Sequence, residues 1–348
     1  MDKTPVPIPD TLLRRHSDFW RLGDGDSPLF RVGRYVPLER GGLSAGAVEV
    51  FSIDRPVVPE KLASILDDIS LPDSVVEGDL VVGVSLPGMC WSEGYAGCRV
   101  VMGEGGAWAD RKPDATGDVE QDMQRFLDSA FVSGTNPWLE AFSSCTARLV
   151  ESVEGRCPVV QPLLRGPLDV MASAIGHGEM VTAFIDYPDL ANSVLERSTD
   201  LFIDIARTHF EIAPPFAGGS VMFGMVNEHP TVRTQLDNSV LVSPEMFREQ
   251  MAAQYRRIYE AFPASIMHVH SGGLHIIDEL LSDERLTAIQ VTRDFPGGPS
   301  VEELRPSFVH IQKHKPLVIT GAMSRNELDM LLMHLSPSRL CLDVRVTD

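Results

Sequence analysis

The densest chemical signal in the chain is Ile266-Met267-His268-Val269-His270-Ser271-Gly272-Gly273. Alternation along a strand sends His268 and His270 to one face, with their bases roughly 7 Å apart, so both imidazoles can converge on one ion. The glycines that follow permit a tight turn at the end of that strand. A third donor has to come from elsewhere, and Cys341 sits in the last predicted strand, in Arg339-Leu340-Cys341-Leu342-Asp343. Imidazole, imidazole and thiolate suit zinc, which at catalytic sites takes three protein ligands and leaves a fourth position open. The same residues have plainer accounts: two histidines hydrogen-bonded at a strand end, and a cysteine buried for packing. Cys90, Cys98, Cys145 and Cys157 are spaced too widely for a CxxC site and read as structural.

Other charged positions fall near predicted strand ends. Asp237, in Gln235-Leu236-Asp237-Asn238-Ser239, is placed to hold a substrate or to orient a ligand histidine through its second nitrogen; a turn-forming Asp-Asn pair is the alternative. Asp186, before Pro188, reads as a helix cap. Arg165, in Arg165-Gly166-Pro167, offers a guanidinium for an anionic group or belongs to a surface turn.

The elements that must position these residues are clearest in the second half. Strands are predicted over 158–164, 220–225, 239–242, 266–270, 288–291, 317–320 and 340–344, with helices over 188–208, 244–262, 273–281 and 325–335. Two helix starts carry their own chemistry: Ser243-Pro244-Glu245 puts a capping hydroxyl before a first-turn proline, and Ser324-x-x-Glu327 is a capping box. Upstream, 60–69 has helical spacing, and a helical region over 119–153 is interrupted at Gly134-Thr135-Asn136-Pro137. Repeated strand-then-helix units imply parallel strands with right-handed crossovers. No GxGxxG or GxxxxGK[ST] follows a strand, so no nucleotide cofactor is expected, and an α/β (β/α)8 TIM barrel is favoured over an open nucleotide-binding sheet. Residues 1–78 read as an N-terminal extension wrapping a barrel made by 79–348.

Composition narrows the function further. The chain has 348 residues, with 30 Lys and Arg against 49 Asp and Glu, for a formal charge of -19. Such a balance argues against nucleic acid as a partner. No apolar run is long enough to span a membrane and the first residues lack a secretory core, so a cytoplasmic protein is expected. The odd number of scattered cysteines fits reduced thiols.

Several segments, taken in order, resemble the uroporphyrinogen decarboxylase superfamily. Gln161-Pro162-Leu163-Leu164-Arg165-Gly166-Pro167-Leu168-Asp169 is similar to its Gly-Pro element, and Ile185-Asp186-Tyr187-Pro188-Asp189 to its acidic-Pro helix entry. The stretch from Asp237-Asn238-Ser239 to Ser243-Pro244-Glu245-Met246-Phe247 resembles its Asp-then-Ser-Pro-Glu-x-Phe segment, and His268-Val269-His270-Ser271-Gly272 its His-x-Cys-Gly motif. Trp91-Ser92-Glu93-Gly94-Tyr95-Ala96-Gly97-Cys98, Ala107-Trp108-Ala109 and His16-Ser17-Asp18-Phe19-Trp20 are similar to segments of further relatives.

The resemblance implies a (β/α)8 barrel and, in the closest branch, zinc-dependent methyl transfer from a corrinoid protein to a thiol or related small acceptor. The metal is then expected on His268, His270 and Cys341, with His270 standing where that branch has cysteine. Asp237, Asn238 and Arg165 would position the acceptor, and Trp91 and Tyr95 would form an apolar wall at the mouth. No Asp-x-His-x-x-Gly signature is present, so the corrinoid would arrive on a partner. The alternative within the superfamily is tetrapyrrole decarboxylation, for which Arg31-Val32-Gly33-Arg34-Tyr35 is one residue shorter than the decarboxylase element; outside it, a barrel that binds a small molecule without catalysis. The acidic residue expected in the strand after the histidines is missing from Ile289-Gln290-Val291-Thr292.

Overall fold

Apolar, β-branched runs from the second half of the chain form the frame. A computed structural model describes residues 8–21, 25–35, 49–51, 71–103, 106–110, 116–129 and 136–347. Six strands make one sheet: β1 (Leu29–Arg34), β2 (Thr231–Gln235), β3 (Ala264–His270), β4 (Ala288–Arg293), β5 (Leu317–Met323) and β6 (Leu340–Val346). Their order is β1-β6-β5-β4-β3-β2, and every neighbouring pair is parallel. Parallel strands covered on both faces do not need polar outward positions, which is why β3 is buried along all but its last residue.

Helices flank the sheet. Those that matter below are α1 (Asp10–Trp20), α2 (Trp91–Tyr95), α3 (Pro137–Val153), α4 (Pro167–Ile175), α5 (Pro188–Ile212), α6 (Val301–His314) and α7 (Arg325–His334). Local chemistry sets their starts: α7 carries the capping box of Ser324 and Glu327, α6 a second one of Ser300 and Glu303, and the Ser243 hydroxyl accepts from Met246 N. Among the described residues no helix is long and apolar enough to cross a membrane.

The closed barrel expected from the sequence is found only in part. Among the described residues the hydrogen-bonded ladder stops at six strands. The gap between β1 and β2 is spanned by two extended segments joined by a parallel bridge between Val84 and Val159. On one flank the Gln161 side chain replaces a ladder, accepting from Arg233 N at 2.9 Å and donating to Arg233 O at 2.8 Å. On the other, Asp79 N donates to Phe30 O at 2.9 Å and the Asp79 carboxylate accepts from Phe30 N at 3.2 Å. Pro158 and Pro162 lack the N–H that a ladder needs, so the strand expected over 158–164 shrinks to this bridge.

Other expectations shift for local reasons. Residues 239–242 lie in the 3-10 turn Asp237–Leu241 and its exit, not in a strand. Strand β2 was hidden because its inward residues, Arg233 and Gln235, are polar. The stretch 220–225 folds as an antiparallel hairpin, Ser220–Met222 against Met225–Asn227, whose turn residues Phe223 and Gly224 have φ of 49° and 76°. Leu29–Arg34 falls inside the segment set apart as an extension, yet it is an edge strand of the central sheet. The helix expected over 60–69 lies outside the described residues.

Candidate metal centre

The loop that ends β2 is built to present Asp237. Asp169, fully buried on α4, accepts from Asp237 N at 3.2 Å, Asn238 N at 3.0 Å and Asn238 Nδ2 at 2.7 Å, which fixes the turn backbone. Gly166 makes room for this: a Cβ there would sit 1.9 Å from Gln235 O, so only glycine lets the start of α4 press on the end of β2. With the backbone pinned, the Asp237 Oδ2 atom accepts from Gln235 Nε2 at 2.9 Å and Arg165 at 3.2 Å. Its other oxygen, Oδ1, is buried and has no hydrogen-bond partner.

That free oxygen faces both histidines. It lies 3.7 Å from His268 Nε2 and 3.8 Å from His270 Nε2. The imidazole rings stand 5.0 Å apart at 79°, with one donor atom from each of Asp237, His268 and His270 within 4.8 Å of the others. The remaining ring nitrogens are taken: His268 Nδ1 bonds Gln290 Oε1, and His270 Nδ1 bonds Asp294 Oδ1 at 2.6 Å. Gln290 is oriented in turn, its Nε2 donating to Thr292 and Thr320 Oγ1 at 2.9 and 2.8 Å. An acceptor on Nδ1 keeps the proton there and leaves the Nε2 lone pair free, the arrangement by which proteins aim histidines at metals.

The electrostatics agree with a cation. Burial, then the Arg233 charge, lowers the pKa of His268 to about 3, so the ring is neutral at pH 7. Burial pushes Glu93 up to about 7, more than the neighbouring Arg165 can pull it down. Burial and then the Asp237 charge raise Asp169 to about 6. Glu93, Asp169 and Asp237 thus crowd Arg165, which lies 3.0 Å from Glu93 and 3.2 Å from Asp237, with Arg233 the further cation near Asp237. A divalent cation at the Asp237 Oδ1 atom would relieve that crowding and satisfy the orphaned oxygen. In a tetrahedral zinc site, bonds of about 2.0–2.1 Å place ligand atoms roughly 3.3–3.4 Å apart. The separations from Asp237 Oδ1, 3.7 and 3.8 Å, are a few tenths of an ångström wider, and all three donor atoms lie within 4.8 Å of one another, so the donor types suit such an ion once the side chains draw slightly inward.

Cys341 is not brought to this cluster. It shares a register row with His268, but Gln290 of β4 and Val318 of β5 stand between them. Three strand spacings of ~4.8 Å amount to roughly 14 Å along the sheet. The cysteine is fully buried, and burial, then the Asp343 charge, pushes its thiol up and away from the thiolate a metal would need. The third candidate donor beside the histidines is Asp237, and the carboxylate bonded to a histidine Nδ1 is Asp294. Asp294 lies one residue beyond β4, past the segment Ile289-Gln290-Val291-Thr292 in which an acid was expected. Although burial opposes it, hydrogen bonds from Ser271 and His270 hold the Asp294 carboxyl below its usual range.

The expected substrate contacts also move. Asn238 is spent on Asp169 and on His177, whose Nδ1 donates to its Oδ1 at 2.7 Å. Trp91 is fully buried against Trp138 and Phe142, its Nε1 donating to Pro87 O at 2.9 Å. The Tyr95 hydroxyl bonds Asp204 on α5. Neither ring forms a wall at the cluster; Glu93, between them on α2, is the residue that reaches towards it. Arg165 is neutralised by Glu93 and Asp237, so it positions Asp237 in place of the expected free guanidinium. Of the residues missed, Gln290 carried a signal: it pairs in register with His268 on the next strand and sits two residues before Thr292.

No protein-family model matches the chain, and a comparison with curated proteins finds no match. Among solved structures, the fold is similar to that of a methyltransferase from Methanosarcina mazei, with a TM-score of 0.59 at 14% sequence identity. The likeness covers 97% of this chain and 93% of that one. At this identity the likeness is one of fold.

Proposed function

We propose that the protein is a metal-dependent methyltransferase of the uroporphyrinogen decarboxylase type that its motifs resemble. In this reading Asp237, His268 and His270 hold a divalent cation, zinc, and the methyl group passes from a corrinoid on a partner protein to a thiol or related small acceptor. The observation that carries the reading is the convergence of two oriented Nε2 atoms on the unpartnered Oδ1 of Asp237. Resemblance to a methyltransferase fold along nearly the whole chain supports it.

A cation held there would act as a Lewis acid, lowering the pKa of an acceptor thiol from ~8.5 so that its anion forms near neutral pH. The chain's own residues supply the rest. Gln290 and Asp294 keep each imidazole in one tautomer and orientation, Arg165 and Gln235 hold the far oxygen of Asp237, and Asp169 fixes the turn. In such a transfer the acceptor would lose its proton to solvent and form the new bond to the methyl carbon, the partner's corrinoid being the group that would give up the methyl and keep the bonding electron pair.

Replacing the expected thiolate by a carboxylate also makes this donor set that of two-histidine, one-carboxylate iron sites, which suit non-haem iron(II). Metal analysis of the purified protein separates the two. Tetrapyrrole decarboxylation is less well served: Arg31 is tied to Asp343 and Glu77, and Arg165 to Glu93 and Asp237, leaving neither free for substrate carboxylates.

The test joins metal content to chemistry. Zinc-loaded protein, given methylcobalamin and a panel of small thiols, should demethylate the cobalamin, followed by its visible spectrum, and His268→Ala should abolish the reaction. Iron in place of zinc, or zinc-loaded protein inert towards every acceptor, would overturn the reading.

A further inference from the structure

We propose that Arg233 forms an oxyanion-binding subsite beneath the Asp237–His268–His270 cluster, and that the small molecule handled there carries a carboxylate or phosphate at the end opposite its reacting group. The inference rests on the reading of that cluster as the reactive end of the site.

Strand alternation and register place the residue. His268 pairs with Gln235 and Ile266 with Arg233, so Arg233 lies on the same inward face as His268, one step deeper. Its backbone is clamped by both ends of the Gln161 amide, at 2.9 and 2.8 Å. Its guanidinium lies over the Phe223 ring, 5.5 Å from the centroid.

What sets this arginine apart is the lack of a salt bridge or side-chain hydrogen bond; the Asp237 charge acts on it only from beyond ion-pair distance. Arg165 lies 3.0 Å from Glu93, Arg31 2.7 Å from Asp343, and Arg293 3.2 Å from Glu327. Arg233 makes no ion pair and no side-chain hydrogen bond among the described residues; its Nε is buried without a partner. The side chain as a whole nonetheless keeps some accessible surface. Burial, the largest influence, lowers its pKa to about 10, which still leaves it cationic at neutral pH. A buried guanidinium nitrogen with no hydrogen-bond partner is costly to retain, and a bound oxyanion would supply one.

Geometry defines the ligand class. A guanidinium fork matches the two oxygens of a carboxylate or phosphate. The two residues separating Arg233 from the level of His268 span roughly 7 Å of strand, so a molecule of a few carbons reaches from one to the other.

The test is calorimetric titration of the purified protein, before and after chelation, with propionate, methyl phosphate and neutral propionamide. One of the two anions should saturate while propionamide does not, and Arg233→Gln should raise its Kd by about tenfold or more, with Arg233→Lys retaining part of the affinity. Metal content should be the same in Arg233→Gln as in the native protein, which separates failure here from failure of the metal reading. Should the variant not fold, the Arg233 Nε–H resonance of the native protein gives the answer: it shifts on adding the anion if the subsite is real and stays still if it is not. No saturable binding of either anion to the native protein up to ~100 mM, or equal binding by Arg233→Gln, would sink the proposal.

Discussion

Two arcs of the same sheet treat their inward polar residues in opposite ways. Along β5, β6 and β1 they are mutually satisfied: Arg31 makes a two-pronged pair with Asp343 at 2.9 and 2.7 Å, Thr320 shares hydrogen bonds with Gln290 and Thr292, and Cys341 lies sealed among them. Along β2 and β3 they are held in place yet left short of a partner, as Asp237 Oδ1 and Arg233 Nε are. The contrast teaches where chemistry is to be sought: a protein tolerates an unsatisfied buried polar atom mainly where a ligand or ion completes it.

The sharpest way to break the comparison is to remove a donor. His268→Ala or Asp237→Ala should abolish stoichiometric metal binding, read by elemental analysis; a metal content unchanged in both would place the ion elsewhere. A control comes from outside the sheet, where an unsatisfied imidazole has no cation to complete it. His209 on α5 is fully buried with no partner on Nδ1, and burial lowers its pKa to about 4. The folded protein keeps it neutral while the unfolded chain takes up a proton near pH 6.5, so its contribution to stability is lost as pH falls from about 6.5 to 4. At about 1.4 kcal/mol per pKa unit this amounts to roughly 3–4 kcal/mol, and His209→Leu should flatten that part of the curve in urea unfolding.

A subtler change tests orientation. Gln290→Leu removes the acceptor on His268 Nδ1 without touching the donors, and should weaken metal affinity by about 10–100-fold in a competitive chelator titration. Asp294→Asn should act in the same direction through His270. The smallest effect is expected in the satisfied arc: Cys341→Ser should leave metal content unchanged and lower stability by about 1 kcal/mol. Loss of metal in that variant would restore the cysteine to the ligand set.

Much of the frame was legible because the signals are local. The strands at 264–270, 288–293, 317–323 and 340–346 follow from apolar β-branched runs, and the starts at Ser243 and Ser324 from side chains that cap their own helices. β2 was misplaced towards 239–242 because Thr231-Val232-Arg233-Thr234-Gln235 turns charged and amide side chains inward, against the usual pattern. The sealed roles of Trp91 and Asn238 were illegible for a related reason: either residue type suits a pocket wall, and only packing shows what it touches.

The amino-acid order alone determined that His268 and His270 share a face, because side chains on a strand repeat every two residues. It also pointed to Cys341 as the third donor, and to Asp237 only as a residue to hold a substrate or orient a histidine. That Asp237, and not Cys341, stands beside the two histidines was decided by the tertiary structure, since β2 lies next to β3 in the sheet while β6 is three strands away. Which strands become neighbours depends on how crossovers pack, a long-range matter that spacing along the chain does not encode.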